Sequence, residues 1–365
     1  MAHNYFEGII STSNLLQLVP ECQISHIESM QKIHKEKGLK NLPKITEEEN
    51  YSKKIFGEND ENLIKTNKIG DVDCLENFLY KYHLENNEEI SSKSYKYFPY
   101  WRSVESDGNS FYRAAMFAVI ENFIVKNLRE QLNQIMSEIT CDRFIQIYKD
   151  KEINYEIPFY ILSTILFLLE NNKIEEAYFL FIKSYSLKDN SFDNMLIIYL
   201  RYICFDYVKE ILELCKDEEI LKKCDTKITK DDININKELI KTMNVEPDFF
   251  IICLMPYLLD INIIIFYLDR DLTKPKEGLV KLIDEEYPDL PFISLGYFFS
   301  SYHRIYWRDW INEEPVIKKI FCNEDYEMKK LIHEIKSNKK CKNCKNSEFV
   351  VFLEKKNYGM QKLFK

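Results

Sequence analysis

One short stretch of the chain holds residues whose types and spacing could do chemistry. Residues 107–114 read Asp-Gly-Asn-Ser-Phe-Tyr-Arg-Ala, and apolar residues then recur at helical spacing. A glycine-containing turn that opens a helix points backbone N–H groups outward, and the helix dipole at that end favours negative charge. Ser110 places a nucleophile-type side chain in the first turn of this predicted helix.

Two interpretations of this turn are open. In the chemical one, the helix end lowers the pKa of a thiol, and its backbone N–H groups bind a developing oxyanion. In the structural one, Asp107, Asn109 and Ser110 serve only as caps of the helix, which is a common role for these residue types. The turn alone does not decide between them.

The chain resembles the otubain family in four segments that follow one another in the family's order. Residues 107–114 match the otubain motif Asp-Gly-Asn-Cys-Phe-Tyr-Arg-Ala at seven of its eight positions. Residues 193–201 are similar to the otubain helix that ends in Val-Tyr-Leu-Arg, and residues 246–270 look like the helix and strand that follow it. Residues 295–306 look like the strand pair that contains the catalytic histidine.

This resemblance covers roughly residues 75–310 and implies a fold. The fold is an α/β (α+β) domain of the papain-like ovarian-tumour (OTU) type, with a small central sheet flanked by helices and a helical lobe. It also implies a mechanism, in which a thiolate attacks the isopeptide bond after the C-terminus of ubiquitin while a histidine keeps the thiol deprotonated. Carried onto this chain, the catalytic positions are Asp107, Ser110 and His303, and the oxyanion donors are the N–H groups around Asp107, Gly108, Asn109 and Ser110.

Two positions depart from the otubain pattern. Ser110 stands where the family has its nucleophilic cysteine, and serine is far less acidic than the thiol around which such a site is built. Ile305 stands two residues after His303, where otubains carry Asp or Asn to orient the imidazole. An isoleucine can neither donate nor accept a hydrogen bond.

These departures favour a catalytically inactive pseudo-deubiquitinase, a scaffold that binds ubiquitin, a ubiquitin-like protein or another protein. Two alternatives remain open. The chain could be an active deubiquitinating cysteine protease carrying a Cys-to-Ser change at Ser110, or a component of a larger assembly held by its terminal extensions. A working serine enzyme is a third alternative.

Composition excludes some functions. The formal net charge is -9, so there is no excess of Lys and Arg to neutralise the phosphates of a nucleic acid. The two most apolar runs, 157–169 and 249–268, are too short or too interrupted to span a bilayer, and the N-terminus lacks a secretory pattern. Ten cysteines without regular spacing suggest reduced thiols and a cytoplasmic protein.

No cofactor and no metal site are predicted. Cys322, His333, Cys341 and Cys344 could in principle supply four zinc ligands, but their spacing fits no standard finger, and ordinary thiols in a charged tail are the simpler interpretation.

The chain is predicted to contain an N-terminal extension (1–70), an otubain-like domain (71–310) and a C-terminal extension (311–365). Hydrophobic periodicity predicts helices at 74–82, 126–139, 158–170, 174–184, 193–202, 206–214 and 246–259, in addition to the helix that opens at residue 110. Runs rich in β-branched and aromatic residues predict strands at 261–267, 292–298 and 302–307.

Overall fold

The computed structural model describes residues 8–11, 39–45, 51–57, 60, 62–63, 68–75, 98–214, 239–269, 276–283, 290–298 and 301–322. The chain divides into two compact units, residues 1–312 and 313–365. In the part of the second unit that is described, the helix Pro315–Cys322 is the regular element. All other elements below belong to the first unit, apart from Glu313 at the end of the helix Arg308–Glu313.

A mixed seven-stranded sheet forms the centre of the first unit. In chain order the strands are β1 (Gly8–Ser11), β2 (Ile69–Cys74), β3 (Tyr100–Val104), β4 (Asn262–Asp269), β5 (Lys276–Ile283), β6 (Phe292–Phe298) and β7 (Ser301–Tyr306). Their order in the sheet is β1-β5-β4-β6-β7-β3-β2. The pairs β1·β5 and β4·β6 are parallel, and the remaining pairs are antiparallel.

Most of the helices lie between β3 and β4 along the chain. In chain order the described α-helices are α1 (Tyr51–Phe56), α2 (Ser110–Val125), α3 (Arg129–Ile139), α4 (Asp142–Asp150), α5 (Glu156–Glu170), α6 (Ile174–Ser184), α7 (Ser191–Leu214), α8 (Phe249–Leu259) and α9 (Arg308–Glu313), followed by the helix Pro315–Cys322. The expected α/β domain with a central sheet and flanking helices is thereby confirmed. The helices from α2 to α7 form the helical lobe.

Helix α2 is the central helix of the domain, because every one of its residues is buried. A helix that is apolar on all sides belongs in a core rather than at a surface. Its polar side chains must therefore find partners inside the protein.

Strand β7 presents different side chains to its two sides. Tyr302 packs its ring on Phe111 of α2, with ring centroids 5.0 Å apart, and Arg304 donates to Glu121 of the same helix. Because successive side chains of a strand point to opposite faces, His303 and Ile305 lie on the face away from α2.

A buried polar network joins α2 to the sheet. The Glu121 carboxylate accepts hydrogen bonds from Arg304 Nε at 2.8 Å, Tyr306 at 2.8 Å and Tyr178 of α6 at 3.2 Å. Arg102 of β3 donates to the hydroxyls of both tyrosines. Since removing one member of a buried charged network leaves its partners uncompensated, this network fixes the depth and rotation of α2 against β7.

On the opposite face of β7, Ile305 belongs to an apolar cluster. Ile305 is fully buried, and the other buried members of the cluster are Leu75, Phe98, Ile264, Phe266 and Phe298. Trp101 and Trp307 pack against them. This position is part of the hydrophobic core of the sheet.

Several predicted boundaries need correction. The two helices predicted at 193–202 and 206–214 form the single helix α7, since the residues between them continue the helix without a breaker. Helix α8 begins at Phe249 rather than at residue 246, with Asp248 as its N-cap, so Glu246 lies in the preceding loop. Residue 74 ends β2 rather than beginning a helix, and residues 76–82 lie outside the described part.

Other elements were not predicted at all. Strands β1, β2, β3 and β5 and helix α4 are short or rich in charged residues, which hides the periodicity that marks a buried face. Strand β1 and helix α1 belong to the segment interpreted from sequence as an N-terminal extension. Within the described residues, no helix combines the length and the apolar character that crossing a membrane requires.

Replacing Ile305 with Asp is expected to destabilise the domain rather than to supply a catalytic carboxylate. The new side chain would place an unpaired charge among aromatic and aliphatic groups, a change that costs roughly 3–5 kcal/mol for a buried uncompensated charge. Chemical denaturation at neutral pH measures the loss. The matched control, Ile305→Val, should cost only about 1 kcal/mol; similar losses in both variants would show that the position tolerates charge.

Candidate functional site

The turn before α2 depends on the glycine in its centre. Gly108 has φ +76°, in the left-handed region that favours glycine. A Cβ atom at this position would lie 2.1 Å from the backbone oxygen of Asn244. The absence of a side chain therefore allows the loop that contains Asn244 to approach the turn closely.

Arg113 holds the turn from the α2 side. Its guanidinium donates to both carboxylate oxygens of Asp107, at 2.9 and 2.7 Å, and to the Glu105 carbonyl at 3.0 Å. Its Nε contacts Asp193 of α7 at 2.9 Å. Burial acts to raise the pKa of Asp107, but the hydrogen bonds and charge of Arg113 outweigh it and leave that pKa below its ordinary value.

Arg201 of α7 connects the turn to the loop before α8. It is fully buried and donates to the side-chain oxygen of Asn109 at 2.6 Å, the Gly108 carbonyl at 3.2 Å and the Val245 carbonyl at 2.8 Å. Asn109 in turn donates to the Asn244 side chain at 2.7 Å. The guanidinium thus ties together two segments that are far apart in sequence.

The carboxylate of Glu246 lies against the first turn of α2. It accepts hydrogen bonds from the backbone N–H of Ser110 at 3.0 Å and of Phe111 at 3.3 Å. It also accepts the hydroxyl proton of Ser110. Two of the N–H groups that have no acceptor within the helix are satisfied in this way.

Ser110 is fully buried, and its hydroxyl makes two hydrogen bonds. It donates to Glu246 and accepts from the backbone N–H of Tyr302 at 2.8 Å. The packing of Phe111 on the Tyr302 ring reinforces this contact between α2 and the start of β7. The peptide between Ser301 and Tyr302 therefore lies next to the predicted nucleophile position.

The His303 ring lies on the face of β7 away from α2 and Ser110. Its Nδ1 accepts a hydrogen bond from the Val104 backbone N–H at 3.1 Å, and its ring also hydrogen-bonds to the backbone of Phe298. The ring stacks on Phe298 at 5.6 Å and meets the edge of Trp101 at 5.4 Å. Burial lowers the pKa of His303 to about 4, against the opposing effect of the Phe298 hydrogen bond.

The structure brings together only part of the predicted set. Asp107, Gly108, Asn109 and Ser110 form one turn at the helix N-terminus. The expectation that Ser110 faces His303 is not met, because side chains alternate along β7 and the histidine ring lies on the other face of the sheet. Ile305, expected to occupy the orienting position, is a core residue on that same face.

Three residues important to this arrangement were not predicted as site residues. Asp193 and Arg201 begin and end a segment that carried the otubain resemblance, and a buried arginine on an apolar helix signals a buried acceptor. Burial raises the pKa of Asp193 to about 6, against the effect of Arg113. Glu246 had no comparable signal, because sequence periodicity placed it inside a helix.

The described residues contain no group of three or more His, Cys, Asp or Glu side chains arranged to hold a metal ion. Cys322 ends the helix of the second unit, whereas His333, Cys341 and Cys344 lie outside the described residues.

The Gly108→Ala variant is expected to lose about 2 kcal/mol or more of unfolding free energy. The methyl group would adopt a disfavoured backbone conformation and collide with the Asn244 backbone. Thermal and urea denaturation measure the loss. Gly70→Ala is the matched control, because its Cβ would meet only the rotatable side chain of Ser103; equal losses would show that the turn has no special requirement.

The contribution of His303 to the stability of the domain is expected to fall as the pH decreases from about 6.5 to 4. The pKa of His303 is about 4 when folded, below the ordinary unfolded value near 6.5. The unfolded chain therefore binds this proton first, which lowers the contribution of His303 by about 3 kcal/mol across this window. The raised pKa of Asp193 acts in the opposite sense, so the difference between wild type and a His303 variant isolates the histidine.

Urea denaturation at pH 7 and pH 4 tests this expectation. His303→Asn keeps an acceptor near Val104 and should be less destabilised by acid than the wild type, by that same amount. An identical acid loss in both proteins would show that His303 takes no part in it.

Comparison with family models gives a match to Peptidase C65 Otubain over residues 58–303. Comparison with curated proteins gives no significant match. Similar solved structures include "The structure of a ceOTUB1 ubiquitin aldehyde UBC13~Ub complex", with 19% identity, a TM-score of 0.45 and coverage of 69% of this chain and 97% of that chain. Another is "The structure of h/ceOTUB1-ubiquitin aldehyde-UBCH5B~Ub", with 18% identity, a TM-score of 0.43 and coverage of 68% and 93%. Since the family match extends over more than half of the sequence, the chain belongs to the otubain (peptidase C65) family.

Proposed function

We propose that this otubain is a pseudo-deubiquitinase, a protein that keeps a surface for ubiquitin or a ubiquitin-like protein but does not hydrolyse the isopeptide bond. The feature that carries this function is the bonding of Ser110. Its hydroxyl donates to Glu246 and accepts from the Tyr302 backbone, so both of its roles are satisfied without an imidazole. In the described structure no imidazole is hydrogen-bonded to this hydroxyl, and an imidazole is what the otubain mechanism uses to take the proton of its nucleophile.

The absence of a base at the right place supports the same function. His303 makes its hydrogen bonds with backbone groups on the far face of the sheet. Ser301 comes immediately before the peptide that contacts Ser110, and its buried hydroxyl has no hydrogen-bond partner in the described structure. By the alternation of β7, Ser301 lies on the same face as His303, and its hydroxyl is not a base.

The partner class follows from family membership, since otubains act on ubiquitin conjugates. The framework that would support such a surface is intact, because Arg113 and Arg201 still hold the turn before α2 against α7. The absence of catalysis is thus a matter of the reacting groups, whereas the scaffold that positions them remains.

The chain is expected to bind ubiquitin without releasing a fluorophore from a C-terminal ubiquitin conjugate. Isothermal titration with monoubiquitin and with a ubiquitin dimer measures binding, and the fluorogenic conjugate measures turnover. Turnover that is lost in the Ser110→Ala variant would contradict the proposal. Absence of binding to either form of ubiquitin would contradict the proposed role as a ubiquitin scaffold.

The Ser110→Cys variant by itself is expected to show no turnover above background. A cysteine thiol without a base to take its proton is expected to react very slowly. In a serine-protease triad, loss of the group that orients the histidine already lowers kcat roughly 10⁴-fold.

Circular dichroism confirms that each variant is folded before turnover is compared. Robust turnover from Ser110→Cys alone would instead favour the alternative, an active deubiquitinase that carries a Cys-to-Ser change.

A further inference from the structure

The anion-binding position at the N-terminus of α2 is already occupied by a group from the same chain. Glu246 places its carboxylate on the N–H groups of Ser110 and Phe111, at 3.0 and 3.3 Å, and on the Ser110 hydroxyl. An oxyanion or a ligand carboxylate would require these same donors.

The loop that brings Glu246 to this place is firmly held. The Asn244 backbone N–H donates to the Asn109 side chain at 2.9 Å, and Arg201 donates to the carbonyls of Ile240 and Val245 at 3.0 and 2.8 Å. Gly108 leaves the space for this close approach. The loop is therefore held by contacts at residues that immediately precede Glu246.

The negative charge of Glu246 affects the chemistry that is possible at position 110. A carboxylate in direct contact with position 110 opposes the formation of a second negative charge there. It also withholds the two N–H groups that would stabilise such a charge. Without Glu246, the positive end of the helix dipole would favour a thiolate at position 110. With Glu246 in contact, the carboxylate offsets that effect.

We propose that Glu246 is an internal ligand that closes the reactive end of α2, and that it suppresses anionic chemistry at position 110 whatever nucleophile stands there. This inference deepens the proposed function, on which it rests for its biological meaning. In this inference the Glu246 carboxylate hinders catalysis at position 110 independently of the serine there and of the missing base.

The test uses the full-length chain and a small electrophile, so that it does not depend on ubiquitin. Ser110→Cys introduces a thiol, and iodoacetamide alkylation of the peptide that carries it is followed by mass spectrometry between pH 5 and pH 10. The rate profile gives the pKa of that thiol. The same profile is measured after adding Glu246→Gln, which removes the charge at nearly constant size, or Glu246→Ala, which removes the carboxylate entirely.

We expect Glu246→Gln to lower the pKa of the introduced thiol by about one unit, and so to raise the alkylation rate at pH 7 by about tenfold. Glu246→Ala should increase the rate further because it also opens the space over residue 110. Asp248→Asn is the matched control, because it removes an exposed carboxylate two residues further along the same segment. It should leave the profile unchanged.

Two results would overturn the inference. One is an unchanged profile in both Glu246 variants. The other is a lower melting temperature in these variants without any change in the thiol pKa, which would make Glu246 a helix cap alone. Labelling by a ubiquitin C-terminal electrophile separates the two proposals: rapid alkylation without ubiquitin labelling would keep this inference and count against the ubiquitin surface.

Discussion

A helix whose N-terminus is buried must find acceptors for its first peptide N–H groups, and this constraint organises the centre of the domain. Helix α2 is buried along its whole length, so solvent cannot supply those acceptors. Glu246 supplies them from a loop more than a hundred residues further along the chain. The position of that loop, and therefore of α8 and β4 after it, is tied to the need to satisfy one helix end.

Two buried arginines of the helical lobe also hold the turn that precedes α2. Arg113 and Arg201 are both buried, and each donates to groups of the turn before α2 as well as to a second segment. Buried guanidinium groups are stable only where acceptors surround them. The turn consequently keeps its shape around Ser110.

The sheet separates the reacting groups that the family resemblance suggested. Tyr302 faces α2 and contributes its backbone N–H to Ser110, whereas His303 faces the aromatic cluster on the other side. A shift of a single residue along a strand exchanges the two faces. The chain thus combines a well-supported helix end, an internal carboxylate and a histidine on the other face of the sheet.

The sequence by itself determined the family, the turn at 107–110, the helix that follows it and the serine in its first turn, because these depend on local residue types and short spacings. It also predicted the main helices and the last strands, whose apolar periodicity is strong. Short or charged strands such as β2 and β5 escaped prediction, since only pairing with neighbours stabilises them. Tertiary structure alone decided which side of β7 carries His303 and which acceptor meets α2. Both depend on strand register and on contacts between distant segments such as Glu246 and Ser110, which local periodicity does not encode.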